Sequence, residues 1–230
     1  MTTIAITQRV ERNKYGKEVD SLEHDYVKYY AKFGVALVPI PNSLGNIKDY
    51  LDSLSLDGII LSGGGDIHPS LYGKSSRKGF EYFPERDHLE KKVLEFAVKN
   101  NVPLLGECRG MQFLNVFFGG SLLENVNDMK GIRHAGTTHE VDITDVRARK
   151  YFHKSSLAVN SFHNQGFSKE EVASSLKIFA EAADGTVEGV YHPAKPIAGI
   201  MWHPERGKMR GLFNAKLIEA FIKRKLYWKK

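Results

Sequence analysis

Two hydrophobic periods alternate along the chain. Short apolar runs such as "VALVPI" at residues 35–40 are typical of buried strands, and the segments between them repeat apolar residues every three or four positions, as amphipathic helices do. Strands that alternate with helices predict an α/β fold with a mostly parallel central sheet and helices on both faces. The predicted strands of this half lie at 3–7, 35–40, 57–65 and 102–107, and the predicted helices at 19–34, 44–54, 87–101 and 109–120.

The pattern changes after Gly120, where β-like segments become shorter and more separated. This predicts extra strands that extend the sheet or form antiparallel ribbons, followed by a terminal helix at 211–226. No repeat, low-complexity tract or linker interrupts the chain, so residues 1–230 are expected to form a single domain. The extra strands are predicted at 138–144, 156–162, 176–183, 186–192 and 197–202.

Composition narrows the class of protein. Hydrophobic residues make up 42% and charged residues 26% of the chain, close to globular averages, which argues against disordered and fibrous classes. The single cysteine cannot form an internal disulfide, and the N-terminal "MTTIAITQRV" lacks a basic flank followed by a signal-type apolar stretch. Both features favour a reducing, cytoplasmic compartment. No run approaches the roughly 18 apolar residues of a membrane helix, so no membrane partner is expected.

The formal charge of +6 would attract an anionic ligand. Much of that charge comes from the terminal run "IKRKLYWKK" at 222–230. A terminal basic run without a recognised binding module is usually solvated, so no nucleic-acid partner is expected. An anionic small-molecule substrate is compatible with the charge.

The only cysteine, Cys108, stands between Gly106 and Gly110, where a predicted strand passes directly into a predicted helix. Gly-x-Cys-x-Gly at such a turn resembles a nucleophile elbow, whose small flanking residues permit the sharp bend. The helix N-terminus favours the thiolate, and the N–H of Arg109 is placed to donate to an oxyanion. The alternative is a buried cysteine that packs as a small hydrophobe, and the glycine spacing outweighs it only if a base lies nearby.

His203 in "GIMWHPER" is the best candidate for that base. Alternation in an extended segment places His203 and Glu205 on the same face, so the carboxylate can bond one ring nitrogen while the other faces the thiol. Taken alone, "HPE" is explained equally well by a strand end followed by a turn. Combined with the elbow, it predicts a Cys–His–Glu triad.

The glycine cluster of "LSGGGDIHPSLYG" follows another predicted strand, and Gly64 or Gly65 can supply a second oxyanion donor through a backbone N–H. A phosphate-binding P-loop would need a lysine followed by serine or threonine, which the segment lacks. His68 is interpreted as a loop histidine that is satisfied locally. The separations of three further histidines match no familiar metal-ligand pattern, and no metal is expected from them: His134, His139 and His163.

These segments, in this order, resemble the class I glutamine amidotransferase family, in particular its branch of free-standing γ-glutamyl hydrolases of the γ-glutamyl-γ-aminobutyrate hydrolase type. The resemblance covers most of the chain, and the elbow combined with "WHPE" is its most specific part. It implies a flavodoxin-like domain that hydrolyses a small-molecule γ-glutamyl amide through a γ-glutamyl thioester, with no cofactor. The other matching segments are "LSGGGDIHPSLYG", "RDHLE", "NSFHNQGF" and "DGTVEGVYH".

The resemblance also implies a role for each matching residue. It makes Cys108 the nucleophile, His203 the general base and acid, and Glu205 the residue that orients the imidazole. The oxyanion hole falls to backbone N–H groups of Arg109 and of either glycine named above. The γ-glutamyl portion would be bound by four residues, of which the last three also fit an ordinary polar turn between strands: Gln112, His163, Asn164 and Gln165.

Two features depart from the common pattern of the branch. Glu107 stands where an aliphatic or small residue is usual, and alternation predicts that its side chain points away from the sulfur. The segment at 7–35 is more similar to a subgroup that hydrolyses γ-glutamyl-CDP-amidate, so an anionic or nucleotide-linked substrate stays open. Four basic residues of variable loops are candidate phosphate contacts, although a solvated face explains them more simply: Arg77, Lys78, Lys130 and Arg133.

Two other functions fit the same residues. A glutaminase subunit of an amidotransferase would use the same triad to deliver ammonia to a separate synthase, although no acceptor domain is fused to this chain. A binding or regulatory domain could keep the scaffold without catalysis, but it would usually have lost the cysteine or the histidine. The motifs predict neither the leaving group nor the oligomeric state.

Overall fold

Strands and helices alternate along the chain. The computed structural model describes residues 2–76, 81–126, 133–206 and 212–223. Its strands are β1 (Thr2–Thr7), β2 (Arg9–Arg12), β3 (Glu18–Ser21), β4 (Val35–Ile40), β5 (Gly58–Leu61), β6 (Leu104–Glu107), β7 (Ala135–Ile143), β8 (Ser156–Phe162), β9 (Lys177–Ala182), β10 (Val187–Tyr191) and β11 (Ile197–Ile200). Its α-helices are α1 (His24–Ala31), α2 (Ile47–Asp52), α3 (Pro84–Asn100), α4 (Arg109–Phe117), α5 (Val146–Phe152) and α6 (Leu212–Ile222).

Nine of the strands in these ranges form one mixed sheet, in the order β4-β1-β5-β6-β11-β10-β9-β7-β8. The five strands from β4 to β11 run parallel, and β6 is paired with β5 on one side and with β11 on the other. Every residue of β5, β6 and β11 is buried, as expected for parallel strands whose two faces are both covered. The predicted α/β class with a parallel central sheet is confirmed.

The four remaining strands continue the sheet beyond β11 in antiparallel fashion. The first part of β7 alternates between half-buried and exposed positions, as in a sheet that meets solvent on one face. The hydrophobic pattern left open whether these segments extend the sheet or form separate ribbons. They extend it, and β8 forms its edge.

The core lies on both faces of the sheet because successive residues of each strand point to opposite sides. Ile60 of β5 packs in one cluster with Phe221 of α6, whereas its neighbour Ile59 packs in the other with Leu94 of α3 and Leu114 of α4. Among the described helices, none is both long enough and apolar enough to cross a membrane.

The N-terminal segment differs from its prediction. Residues 19–34 were expected to form one helix, but β3 pairs antiparallel with β2 as a two-stranded ribbon, and α1 begins only at His24. Asn13, whose side chain accepts two backbone N–H groups, and the left-handed Gly16 close the turn of the ribbon. Helix α5 is present in the structure but was not predicted from the sequence.

Candidate active site

Cys108 occupies a strained turn between β6 and α4. Its φ of 52° and ψ of −106° are values that L side chains rarely adopt. The flanking glycines permit the turn, because a Cβ on Gly106 would lie 2.6 Å from the Gly110 backbone and a Cβ on Gly110 would lie 2.1 Å from the carbonyl oxygen of Leu61. The turn places the sulfur at the N-terminus of α4, where the helix dipole favours negative charge.

His203 and Glu205 follow β11, the parallel neighbour of β6. Glu107 pairs with Ile200 across the two strands, so the residues that follow them emerge at the same edge of the sheet. Glu205 Oε1 lies 2.6 Å from His203 Nδ1. The ring of His203 lies beside Cys108, because a Cβ on Gly63 would be 2.6 Å from that ring and 3.5 Å from the Cβ of Cys108. The structure thus brings these three side chains into one chain of contacts.

Each member of the Cys108–His203 pair stabilises the charge of the other. Burial raises the pKa of the thiol, but His203 outweighs this effect and the pKa of Cys108 is lowered overall. Burial likewise opposes an imidazolium, yet the thiolate and Glu205 raise the pKa of His203 to about 10. The two directions agree, since each group favours the charged form of the other.

Asn160 of β8 holds the backbone of the histidine. Its Oδ1 accepts the His203 N–H at 2.8 Å, and its Nδ2 donates to the carbonyl oxygens of His203 at 2.7 Å and Arg206 at 2.9 Å. The segment after β11 is therefore fixed by a side chain from the edge of the sheet. Asn160 was not predicted to have a role, although its place at the start of "NSFHNQGF" was an available signal.

A cavity of about 150 Å³ opens onto the sulfur. Gly64 and Gly65 line it with φ angles of +90° and +71°, which glycine adopts without steric cost. Glu205 is absent from the lining and contacts the opposite ring nitrogen of His203. All other site residues predicted from the sequence line the cavity: Gly64, Gly65, Cys108, Arg109, Gln112, His163, Asn164, Gln165 and His203.

Arg86 of α3 fixes the glycine loop from behind. Its guanidinium donates to the carbonyl oxygens of Ser62, Gly63 and Gly64 at 2.8, 3.1 and 2.5 Å. The loop also lies close to His203, because a Cβ on Gly63 would be 2.6 Å from the ring of that residue. Fixed carbonyl groups determine where the N–H groups of the same peptides point. Arg86 begins the motif "RDHLE", which the sequence analysis noted without giving its residues a role.

The same motif holds the start of α4. Glu90 pairs with Arg86 at 3.0 Å and with the side chain of Arg109, which also pairs with Asp87. Burial opposes the charge of Glu90, but the two arginines outweigh it and lower the pKa of this carboxyl. The Arg109 side chain is thus engaged inside the protein. Its backbone N–H belongs to the first turn of α4, where N–H groups have no partner within the helix.

The segment after β8 forms another wall of the cavity. Gln112 Nε2 donates to the carbonyl oxygen of Gln165 at 2.8 Å, and His163 Nδ1 lies 2.9 Å from the same oxygen. The N–H of Val126 donates to the carbonyl oxygen of Asn164 at 2.8 Å. These bonds fix the backbone of the segment against α4.

Two arginines at this cavity were not predicted. Arg9 of β2 and Arg206 both line it, and both pair with Glu23, at 2.7 Å from each guanidinium. The position of Arg9 depends on the ribbon that the sequence analysis missed, so no local pattern could have marked it. Arg206 directly follows the predicted triad carboxylate, and that proximity was the available signal.

A second buried cluster beside the cavity offers ligand atoms for a cation. One ligand atom each from His134, His163 and Glu188 lies within 4.8 Å of the others. Glu188 also interacts with two histidines as an ion: burial opposes its charge, but His139 and His163 outweigh burial and lower its pKa to about 2. The expectation of no metal rested on sequence separation, which does not show that these histidines meet around one carboxylate.

The remaining candidates lie apart from this cavity. His68 Nδ1 lies 2.8 Å from Ser70 Oγ and caps a short 3-10 turn, in line with a locally satisfied histidine. It lines a larger groove of about 540 Å³ that contains none of the triad residues. Arg133 is exposed. The other three candidate phosphate contacts lie outside the described residues: Arg77, Lys78 and Lys130.

The sequence matches a protein family over most of its length. The profile of the family described as Peptidase C26 matches residues 2–205. The gamma-glutamyl-CDP-amidate hydrolase of Campylobacter jejuni is 33% identical over 223 residues, which cover 95% of this chain and 96% of that protein. The gamma-glutamyl-gamma-aminobutyrate hydrolase PuuD of Escherichia coli K12 is 29% identical over 225 residues, which cover 90% of this chain and 87% of that protein.

Solved structures share the fold. A glutamine amidotransferase from Thermotoga maritima has a TM-score of 0.61 at 17% sequence identity and covers 96% of this chain and 83% of its own. A glutamine amidotransferase from Methylobacillus flagellatus has a TM-score of 0.56 at 14% identity, covering 90% of this chain and 71% of its own. At these identities the likeness concerns the fold alone.

Proposed function

Since the chain belongs to the peptidase C26 family, which is class I glutamine amidotransferase-like, we propose that it is a cysteine hydrolase of γ-glutamyl amides. Two relatives that align over most of the chain are named as γ-glutamyl hydrolases. The observation that carries the proposal is the meeting of Cys108, His203 and Glu205 at the cavity edge of the sheet. A thiolate beside an imidazolium, held by a carboxylate, suits acyl transfer.

The first half of the reaction forms a thioester. The Cys108 thiolate attacks the γ-carbonyl carbon, a C–S bond forms, and the carbonyl electron pair moves to oxygen. Backbone N–H groups of Arg109 and of Gly64 or Gly65 donate to that oxyanion. The oxyanion then collapses, the C–N bond breaks, and the imidazolium of His203 gives its proton to the departing nitrogen.

The second half releases glutamate. Neutral His203 takes a proton from water, whose oxygen attacks the thioester carbon. The tetrahedral intermediate expels the sulfur as thiolate, so the Cys108–His203 pair returns to its starting charge. Glu205 holds the ring at Nδ1 during both halves, as its 2.6 Å contact allows. No redox partner is needed for these steps to balance.

Substrate binding follows from the cavity walls. Gln112, His163, Asn164 and Gln165 line the cavity beside the sulfur and are proposed to bind the γ-glutamyl portion. Arg9 and Arg206 lie at the same cavity and suit an anionic leaving group, although Glu23 offsets part of their charge. We therefore propose that the leaving group is an amine or an amidate, and that it can carry negative charge.

A turnover screen tests the proposal. The panel contains γ-glutamyl amines, amino acids, polyamines, nucleotidyl amidates and free glutamine. We expect release of glutamate from at least one γ-glutamyl amide, with a transient mass increase of one glutamyl group on Cys108. Cys108→Ala should lower turnover on the order of 10⁴-fold or more, because nucleophile and base act as a unit.

The screen also separates the alternatives. Full turnover by a folded Cys108→Ala variant, with unchanged circular dichroism and thermal midpoint, would overturn the covalent mechanism. Hydrolysis of glutamine that appears only after a synthase is added would identify a glutaminase subunit instead. A wild-type protein that never acquires a glutamyl group from any panel member would favour a binding domain.

A further inference from the structure

Glu107, the residue before the nucleophile, takes no part in the proposed reaction. Its side chain is fully buried, and its Oε1 accepts a hydrogen bond from the hydroxyl of Tyr30 on α1. Glu107 also lies close enough to interact electrostatically with Glu205, the carboxylate that contacts His203. Glu107 therefore lies on the Nδ1 side of the imidazole, and the prediction that it faces away from the sulfur agrees with these contacts.

The two carboxyl groups share a hydrogen-bonding problem. Glu107 Oε2 and Glu205 Oε2 are both buried, and within the described residues neither has a hydrogen-bond partner. Two ionised carboxylates cannot bond each other, since each only accepts. Two buried like charges in contact would also repel strongly in a medium of low dielectric constant. A single proton between them satisfies both oxygens and removes one charge.

The surroundings decide which carboxyl holds the proton. Glu205 Oε1 contacts two cationic groups, His203 Nδ1 at 2.6 Å and Arg206 Nε at 3.6 Å, whereas the donor on Glu107 is a neutral phenol. Burial and then Glu205 raise the pKa of Glu107 well above its ordinary value. The titratable and charged groups that surround the pair are Tyr26, Tyr29 and Tyr30 of α1, Cys108, His203 and Arg206.

We propose that Glu107 is a positioning residue that stays protonated and donates a hydrogen bond to Glu205 Oε2, which fixes the carboxylate that orients His203. The catalytic consequence rests on the proposed function above. Glu107 touches no reacting atom. It orients Glu205, Glu205 orients the imidazole ring of His203, and the ring stabilises the thiolate of Cys108. Such outer hydrogen bonds fix the tautomer and orientation of a histidine.

Two substitutions separate the proton from the charge. Glu107→Gln keeps an N–H donor for Glu205 and a carbonyl acceptor for Tyr30, whereas Glu107→Leu keeps the approximate volume but neither bond. We expect Glu107→Gln to keep kcat within about twofold and Glu107→Leu to lower kcat about 10–100-fold with little change in KM. Leu should also move the pH of half-maximal Cys108 alkylation upward, whereas Gln should not.

Tyr30→Phe is the matched control, because it removes the hydrogen bond from Tyr30 to Glu107 and leaves the proposed bond to Glu205 in place. Its kcat should stay near the wild-type value. Wild-type kcat in a folded Glu107→Leu variant would overturn the proposal. So would a folded Glu107→Gln variant as slow as Glu107→Leu, since that result would require a charge at residue 107.

Infrared spectroscopy tests whether Glu107 is protonated, and it needs no substrate. The difference spectrum of wild-type protein minus Glu107→Gln at neutral pH should contain the carbonyl stretch of a protonated carboxyl group. Its absence, with only carboxylate bands in the difference, would overturn the proposal even in an active hydrolase. If the protein hydrolyses no γ-glutamyl compound, the proposed function fails, while the infrared band and the alkylation profile still decide the position of the proton.

Discussion

The charge of Cys108 depends mainly on one neighbour. Burial by itself would keep the thiol protonated, and it is His203 that lowers the pKa of the sulfur. The histidine in turn depends on the thiolate and on Glu205, which raise its pKa to about 10. At the scale of the residue, reactivity is thus a property of a pair, and removing one member should change the titration of the other.

Alkylation of the thiol measures that dependence directly. The chain has one cysteine, so a mass increase after treatment with iodoacetamide reports on Cys108 alone. We expect wild-type protein to react at pH values below 9.0, the ordinary pKa of the thiol, because its folded pKa is lowered. In His203→Asn the burial effect remains without the imidazolium, so the pH of half-maximal rate should move upward. Superimposable profiles would contradict the ion pair.

At the scale of elements, the glycine loop after β5 and the start of α4 are held by one network. Arg86 bonds three successive carbonyl oxygens of the loop, and Glu90 links it to Arg109 at the first turn of α4. Both proposed oxyanion donors are therefore positioned from α3. A substitution in α3 should therefore slow the reaction by displacing these backbone N–H groups, and it should leave the reactivity of the thiol unchanged.

Arg86→Lys tests this link, because one ammonium cannot reproduce the fork of guanidinium donors. We expect turnover to fall at least about tenfold, towards the roughly 10²–10³-fold loss caused by removing an oxyanion donor. The alkylation rate of Cys108 should stay unchanged, since that reaction forms no oxyanion. Arg147→Lys on α5, an exposed arginine, is the matched control and should keep full turnover. Equal turnover in both variants would contradict the role of Arg86.

At the scale of the molecule, a buried ion cluster joins the antiparallel half of the sheet. Glu188 of β10 lies 3.4 Å from His139 of β7 and 3.5 Å from His163, which follows β8. His163 also lines the cavity. The cluster therefore connects strands that are distant from one another in the sequence. We expect its ionisation to make the stability of the fold depend on pH.

Glu188→Gln should lower the free energy of unfolding by on the order of 3–5 kcal/mol, as for breaking a buried ion pair. The contribution of Glu188 is present above 4.5, its ordinary pKa, and is lost as pH falls through about 2. Burial lowers the pKa of His163, but its contact with Glu188 outweighs burial and raises the pKa overall. The contribution of His163 to stability is therefore complete below 6.5, its ordinary pKa, and is lost as pH rises. The difference between wild type and variant in urea unfolding should therefore be largest between about pH 4.5 and 6.5.

A difference independent of pH over the range 3 to 9 would contradict the ion-pair interpretation of this cluster. Unfolding after treatment with EDTA serves as the control for a bound cation, because His134, His163 and Glu188 could also bind one. We expect EDTA to leave the unfolding midpoint unchanged, since the ion pairs already neutralise the carboxylate. A lower midpoint together with metal found in the untreated protein would assign the stability to a cation.

Much of the fold and of the candidate site can be predicted from the sequence because their signals are local. Apolar runs mark the buried strands, and the small residues at 106 and 110 mark a turn that no larger side chain permits. His203 and Glu205 do meet, but the segment is a turn in which the Arg206 N–H bonds the His203 carbonyl oxygen, and the extended alternation expected from the sequence is absent there. The predicted helix at 19–34 is wrong at its start, because pairing between β2 and β3 outweighed a helical pattern in a short segment.

Local sequence patterns were enough to predict most of the strands and helices, the sharp turn at Cys108, and which residues could act with it. Tertiary structure decided which of them meet. Only the pairing of β6 with β11 places His203 beside the thiol, and only packing around α1 and α3 brings Tyr30 to Glu107 and Arg86 to the glycine loop. Propensity and turn geometry act within a few residues, whereas burial, ion pairing and strand order depend on contacts between distant parts of the chain.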